Sequence, residues 1–293
     1  MKYVLKIMVL VSLLSLLVAC GGGGEVSSNW KSGTQGVVVQ FAPDSPPNVV
    51  YSGEEYVLGL ELRNKGSFPL DDEDELDVDL YFSGFERDLI SLPYEDYVSI
   101  VGGKTPTNLE GGLEFYDKEF DVEIYDDSDS LNQNLKVTAC YEYETNAALE
   151  TCVDPNPIQN DEDTCTPGVT GTGSQGGPIA ISSVTQESLK GKARYTIKIS
   201  NVGGGTVFMD NDCLNPSRTN KNIVYLEDAY LGDQDMHCSP DDYIRLVNGV
   251  GTLSCIVDRL DEDEPAYKTS LGVHLSYNYK TSATKQIQIK RIE

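Results

Sequence analysis

The chain is written twice, and that duplication limits its fold more than any other feature. One stretch runs Gly53-Glu-Glu-Tyr-Val-Leu-Gly-Leu-Glu-Leu-Arg-Asn64-Lys-Gly66, and a second runs Lys190-Gly-Lys-Ala-Arg-Tyr-Thr-Ile-Lys-Ile-Ser-Asn201-Val-Gly203. Asn64 and Asn201 lie 137 positions apart, and Leu60 and Leu62 match Ile197 and Ile199. Alternation of apolar and polar residues is the mark of a half-buried strand. Asn and Gly tolerate positive φ, so each strand is expected to stop in a turn at Asn-x-Gly. A short apolar strand precedes each copy, at Val37 to Phe41 and at Ile179 to Val184.

The copies also end alike. Tyr141-Glu-Tyr143-Glu-Thr145-Asn-Ala147 matches Tyr277-Asn-Tyr279-Lys-Thr281-Ser-Ala283 at a spacing of 136. A return strand is expected after each, Glu150 to Val153 and Gln286 to Ile292, closing each half with its own hairpin. Between these ends, Leu76 to Phe82, Gly112 to Tyr125, Ile223 to Leu226, Tyr243 to Val247 and Val250 to Val257 read as strands. Asn248-Gly249 is a two-residue hairpin signal. Beyond the first twenty residues no segment has convincing helical periodicity. Some seven short strands per ~110 residues predict an all-β chain of two β-sandwiches.

A strand followed by Asn-x-Gly, present in both copies, resembles the CARDB-type and related immunoglobulin-like domains of archaeal and bacterial surface proteins. The resemblance spans 36–155 and 176–293. It implies two tandem immunoglobulin-like sandwiches of adhesion type, with no catalytic residues to carry over, joined by a linker over 156–175. The whole arrangement is also similar to archaeal surface lipoproteins.

The N-terminus points to export. Lys2 and Lys6 precede a mostly apolar run from Ile7 to Val18. That run is shorter than the ~20 residues a spanning helix needs, and it reads as a secretory signal over 1–19. Leu17-Val18-Ala19-Cys20 resembles the lipobox of prokaryotic lipoproteins. The resemblance implies cleavage before Cys20, lipid on its thiol, and anchorage to the outer face of the cell membrane. Residues 20–35, rich in glycine, suit a flexible tether.

Composition excludes several functions. The formal charge of −25 repels nucleic acid and anionic headgroups. His237 and His274 are the only histidines, which leaves little material for a histidine-based active site or zinc site. No Cys-x-x-Cys or Gly-x-Ser-x-Gly occurs. The expected function is therefore a non-catalytic binding or structural module for adhesion or envelope assembly, with a protein or glycan partner. The alternatives are an acidic calcium-binding lipoprotein and a subunit that polymerises through an edge strand.

Besides Cys20, six cysteines remain, an even number that suggests three disulfides in an exported chain. A hairpin centred near Asn146 would set Cys140 opposite Cys152, so that pair is expected. Cys238 and Cys255 flank the same end of the Asn248-Gly249 hairpin, and Cys165–Cys213 completes the set. Acid-rich loops offer the oxygens that Ca²⁺ takes. The candidate ligands are Asp126, Asp127 and Asp129 in one loop and Asp161 and Asp163 in the linker, though neither follows an EF-hand spacing. Asp77 and Asp79, inside an alternating strand, are expected on its solvent face.

Overall fold

The computed structural model describes residues 30–69, 75–158, 164–171, 175–209 and 213–292. Cys20 and the signal segment, Asp71 to Asp74, and Asp161 to Asp163 lie outside the described residues. The described chain is all β, without a helix. Its strands are β1 (Val37–Phe41), β2 (Val49–Tyr51), β3 (Glu54–Asn64), β4 (Glu75–Ser83), β5 (Glu95–Val101), β6 (Leu113–Val122), β7 (Ser130–Val153) and β8 (Gly168–Thr170). The second half adds β9 (Ile179–Leu189), β10 (Lys192–Asn201), β11 (Thr206–Phe208), β12 (Ile223–Leu231), β13 (Gln234–Asp235), β14 (His237–Ser239), β15 (Tyr243–Arg245), β16 (Val250–Asp258) and β17 (Tyr267–Lys290).

Two small sheets, β1-β3-β6 and β14-β16-β10-β9, lie over one large sheet in the order β13-β12-β17-β7-β4-β5. The repeat is visible in this layout. β1, β3 and β6 take the same places in the first half as β9, β10 and β16 in the second. Buried Leu58, Leu60 and Leu62 of β3 and Ala193, Tyr195, Ile197 and Ile199 of β10 face the large sheet. Burying each large apolar side chain contributes roughly 1.5–3 kcal/mol, which fixes which face turns inward.

The expected closing hairpins do not form. β7 and β17 are each single strands of 24 residues, paired antiparallel in one unbroken register from Tyr267↔Val153 to Lys290↔Ser130. The alternation explains why. Tyr141, Tyr143, Thr145, Ala147 and Leu149 are all buried, so the inward phase runs through Asn146 without a break. No residue there has positive φ to turn the chain. The two halves thus share one sheet, and buried residues of both belong to one continuous apolar cluster.

The Asn-x-Gly stops are found where expected, but for a different reason. Neither Gly66 nor Gly203 has positive φ. Instead the Asn side chain ends the strand. Asn64 Oδ1 accepts from Gly66 N–H at 3.2 Å and its Nδ2 donates to Phe68 O at 2.6 Å. Asn201 repeats this with Gly203 and Gly205 at 3.2 and 3.0 Å. Glycine is needed because a Cβ on Gly66 would strike the Tyr143 hydroxyl, and one on Gly203 would strike Pro178 and the Tyr279 hydroxyl. The Asn248-Gly249 turn forms with φ of 54° and 80°, as a primed hairpin turn requires, although β15 pairs with β12 rather than β16.

Two expected disulfides are corrected. The structure joins Cys140–Cys213, Cys152–Cys165 and Cys238–Cys255. Cys140 and Cys152 sit 12 residues apart on one continuous strand, a separation of roughly 40 Å that no disulfide can span. Cys165 instead meets Cys152 because β8 folds back on the end of β7, with Cys152 opposite Gly168. Cys213 reaches Cys140 from a segment that follows β11, so this bond ties the second half to the first. Cys238–Cys255 is the expected pair and joins neighbouring strands β14 and β16. Three disulfides fit maturation in an oxidising compartment.

Candidate functional site

The joint between the halves is built twice over, and it shapes the surface above it. On the inner face, Tyr141, Tyr143, Tyr277 and Tyr279 form a closed square with centroid distances of 5.7, 6.0, 6.2 and 6.2 Å. Tyr143 donates to Asn64 Oδ1 at 2.9 Å and Tyr279 to Asn201 Oδ1 at 2.8 Å. Thr145 reaches across to Ile179 O at 2.8 Å, and its repeat equivalent Thr281 reaches back to Val37 O at 3.1 Å. Each half therefore ties down the first strand of the other. Burial raises the phenol pKa of all four tyrosines, well above the usual value for Tyr141 and Tyr277. They stay neutral and hydrogen-bonded at ordinary pH.

The opposite, outer face of the same strands is polar. Alternation puts Glu142, Glu144 and Asn146 of β7 beside His274, Ser276 and Asn278 of β17. β4 adds Asp77 and Asp79, both exposed as expected. Apart from His274, which lies outside the lining, they floor a trough of about 1120 Å³ whose wall includes Phe208, Met209 and Cys213. Among the described residues, its lining contains the carboxylates of Glu75, Asp77, Asp79, Glu142, Glu144 and Glu227 and no Lys or Arg. Several polar groups are already engaged. His274 Nε2 meets Glu144 Oε2 at 2.7 Å, Ser99 Oγ donates to Asp77 Oδ1 at 2.6 Å, and Ser276 Oγ donates to Glu227. Lys280, just outside the lining, gives its ammonium to the carbonyls of Cys213 and Leu214. A small second cluster of Cys140, Phe208 and Cys213, with Tyr81 against it, anchors this wall.

The expected calcium ligands are not part of this trough. Asp126, Asp127 and Asp129 lie exposed in the loop between β6 and β7. Asp126 Oδ1 accepts from Ser128 N–H at 3.0 Å, which holds its carboxyl below the usual pKa, and Arg291 donates to Asp126 O. Among the described residues, no three His, Cys, Asp or Glu side chains are grouped to hold a metal ion. Asp161 and Asp163 lie outside the described residues. His237 is exposed on β14 beside Cys238, and His274 is half-buried on the outer face, between buried Val273 and Leu275. The trough itself went unread in the sequence. Its signal was the polar phase of the two Tyr-x-Tyr strands, Glu142-x-Glu144-x-Asn146 and Ser276-x-Asn278.

No family model matches this chain, and no curated protein matches it. Among solved structures, the crystal structure of the collagen adhesin from S. aureus aligns over 90% of this chain and 94% of that one, at 8% identity and a TM-score of 0.13. A likeness of that size carries no weight for fold or function.

Proposed function

We propose that this chain is a non-catalytic binding or structural module of the cell surface, tethered by lipid on Cys20 to the outer face of the membrane. On this reading its body is two immunoglobulin-like sandwiches fused along β7 and β17. The trough is the observation that carries the proposal. A concave surface that mixes carboxylates with aromatic side chains such as Tyr141, Tyr143 and Phe208 lies open above strands that the tyrosine square and the cross-half disulfide hold in place. Preorganised surfaces of this kind favour recognition, because little ordering entropy remains to be lost on binding. Acid lining and a formal charge of −25 direct it toward protein or glycan partners and away from nucleic acid.

Two measurements test this reading. Radiolabelled fatty acid or isoprenoid should enter the wild-type protein, and Cys20→Ser should lose both label and membrane attachment. Purified protein should attach to intact envelopes, and Glu142→Lys with Glu144→Lys should abolish attachment while the melting temperature stays within a few degrees. Attachment unchanged by the double substitution would remove the trough from the account.

A further inference from the structure

The second half covers a strand edge that the first half leaves bare. β16 and β6 hold equivalent places. Ser200 and Arg63, each just before its strand-ending Asn, pair with Val250 and Leu113, so the two strands match at a spacing of 137. On the far edge of β16, His237, Cys238 and Ser239 of β14 pair with Ile256, Cys255 and Ser254, and Cys238–Cys255 pins them. The same positions of β6 are Glu119, Lys118 and Asp117. Among the described residues, no strand is hydrogen-bonded to them on that side; β6 ends its sheet, with β3 as its paired neighbour.

The ladder shows which backbone groups are left open. Asn64 N–H donates to Gly112 O and Gly53 N–H to Val122 O, so the even-numbered residues of β6 bond to β3. The odd ones turn outward. At the end of β6 this is seen directly, where Asp121 exchanges bonds with Ser91 through Ser91 N–H and Ser91 Oγ. Before that point, the N–H and C=O groups of Phe115, Asp117 and Glu119 face outward with no strand to meet them. A hollow of about 650 Å³ opens beside Val57, Asp117, Lys118 and Glu119. In β16 the same parity turns 254 and 256 outward, and those are the residues that bond to β14.

We propose that the outer edge of β6 docks an extended basic segment of a partner protein, added antiparallel as β14 is added to β16. Strand addition of this kind draws affinity from main-chain bonds and selectivity from alternate side chains. Charge selects the occupant. Asp117 and Glu119 stand opposite alternate residues of the incoming strand, where Lys or Arg makes favourable cross-strand pairs. The residue between those two faces Lys118, whose ammonium is already held by Asp96 at 2.9 Å, so a neutral side chain fits there. A second copy of β6 would set acid against acid, which opposes self-pairing. This edge is separate from the trough.

The test uses the mature full-length protein and two labelled heptapeptides, one alternating lysine with valine and one alternating glutamate with valine. Fluorescence anisotropy should show saturable binding of the lysine peptide alone. Asp117→Pro removes an outward N–H while sparing the bonds to β3, and should weaken binding by about tenfold or more. Asp117→Lys with Glu119→Lys should switch preference to the glutamate peptide, and this variant decides the matter if the proline variant does not fold. Undiminished lysine-peptide binding by both variants would overturn the proposal, as would no saturable binding by the wild type. Concentration-dependent dimers abolished by Asp117→Pro would assign the edge to a second copy instead and also overturn it. The Glu142→Lys, Glu144→Lys protein should keep peptide binding, so failure of the trough and failure of this edge appear in different assays.

Discussion

Glu142 lies directly across the β7–β17 ladder from Asn278, the residue that holds its own place in the second copy. That pair marks a pseudo-two-fold axis. Tyr141 faces Tyr279 and Tyr143 faces Tyr277, so each tyrosine meets the repeat equivalent of its neighbour. The duplicated sequence is thus an internal pair of halves joined back to back in one sheet. The contacts at the joint come in matched sets: Tyr143–Asn64 with Tyr279–Asn201, and Thr145–Ile179 with Thr281–Val37.

Removing one phenol should weaken both halves together. Tyr143→Phe deletes the bond to Asn64 Oδ1, which keeps only Gly66 N–H, and removes the hydroxyl that accepts from Phe68 N–H. A loss of about 1–3 kcal/mol is expected from urea denaturation, in one transition, since the apolar core is continuous. Tyr279→Phe should behave alike.

Gly66→Ala should be among the most damaging single substitutions. The added methyl has no room against the Tyr143 hydroxyl and the backbone oxygens of Gly176 and Gln35. Thermal melting should show a fall larger than that of Tyr143→Phe, because overpacking also displaces the tyrosine.

The cross-half disulfide should matter more than the local ones. Cys140–Cys213 closes 73 residues of chain, against 13 for Cys152–Cys165. In the chain-entropy picture, losing it costs about 4 kcal/mol, against about 3 for the shorter loop. Peptide mapping without reductant checks the pairing first, and recovery of a Cys140–Cys152 peptide would contradict the structure.

Alkali should unfold the protein at the joint. Burial raises the pKa of the four square tyrosines, and that of Tyr195 is pushed up to about 12. Unfolded tyrosine ionises near pH ~10. The neutral phenols therefore contribute their full stability below that pH and lose it as pH rises toward the raised values. Denaturation midpoints should be flat below pH 9 or so and fall steeply above pH ~10. Phe at positions 143 and 279 should soften that fall.

Much of the fold was legible in local sequence because its determinants are local. Alternation located β1, β3, β4, β10 and β16, and the Asn-x-Gly repeat located the strand ends. The joint was not legible, because pairing between β7 and β17 is non-local and nothing in either strand names its partner. One sign was available: the inward phase runs unbroken from Val137 to Leu149, and Asn146 is followed by Ala147-Ala148, which have no preference for positive φ. Reading that run as one strand would have separated Cys140 from Cys152 at once. The trough depended on the same step, since its floor exists only when the polar faces of the two long strands lie side by side. The Cys140–Cys213 bond depended on a crossing segment with no periodic signal at all.

Native-state hydrogen exchange on the full chain is the most direct test that the two halves share one sheet. Amides of Tyr141 to Thr145 and of Leu275 to Tyr279 should open together, with the same free energy, and should keep doing so after Cys140→Ser and Cys213→Ser. Two separate protection levels, one for each half, would contradict the shared sheet and the trough built upon it.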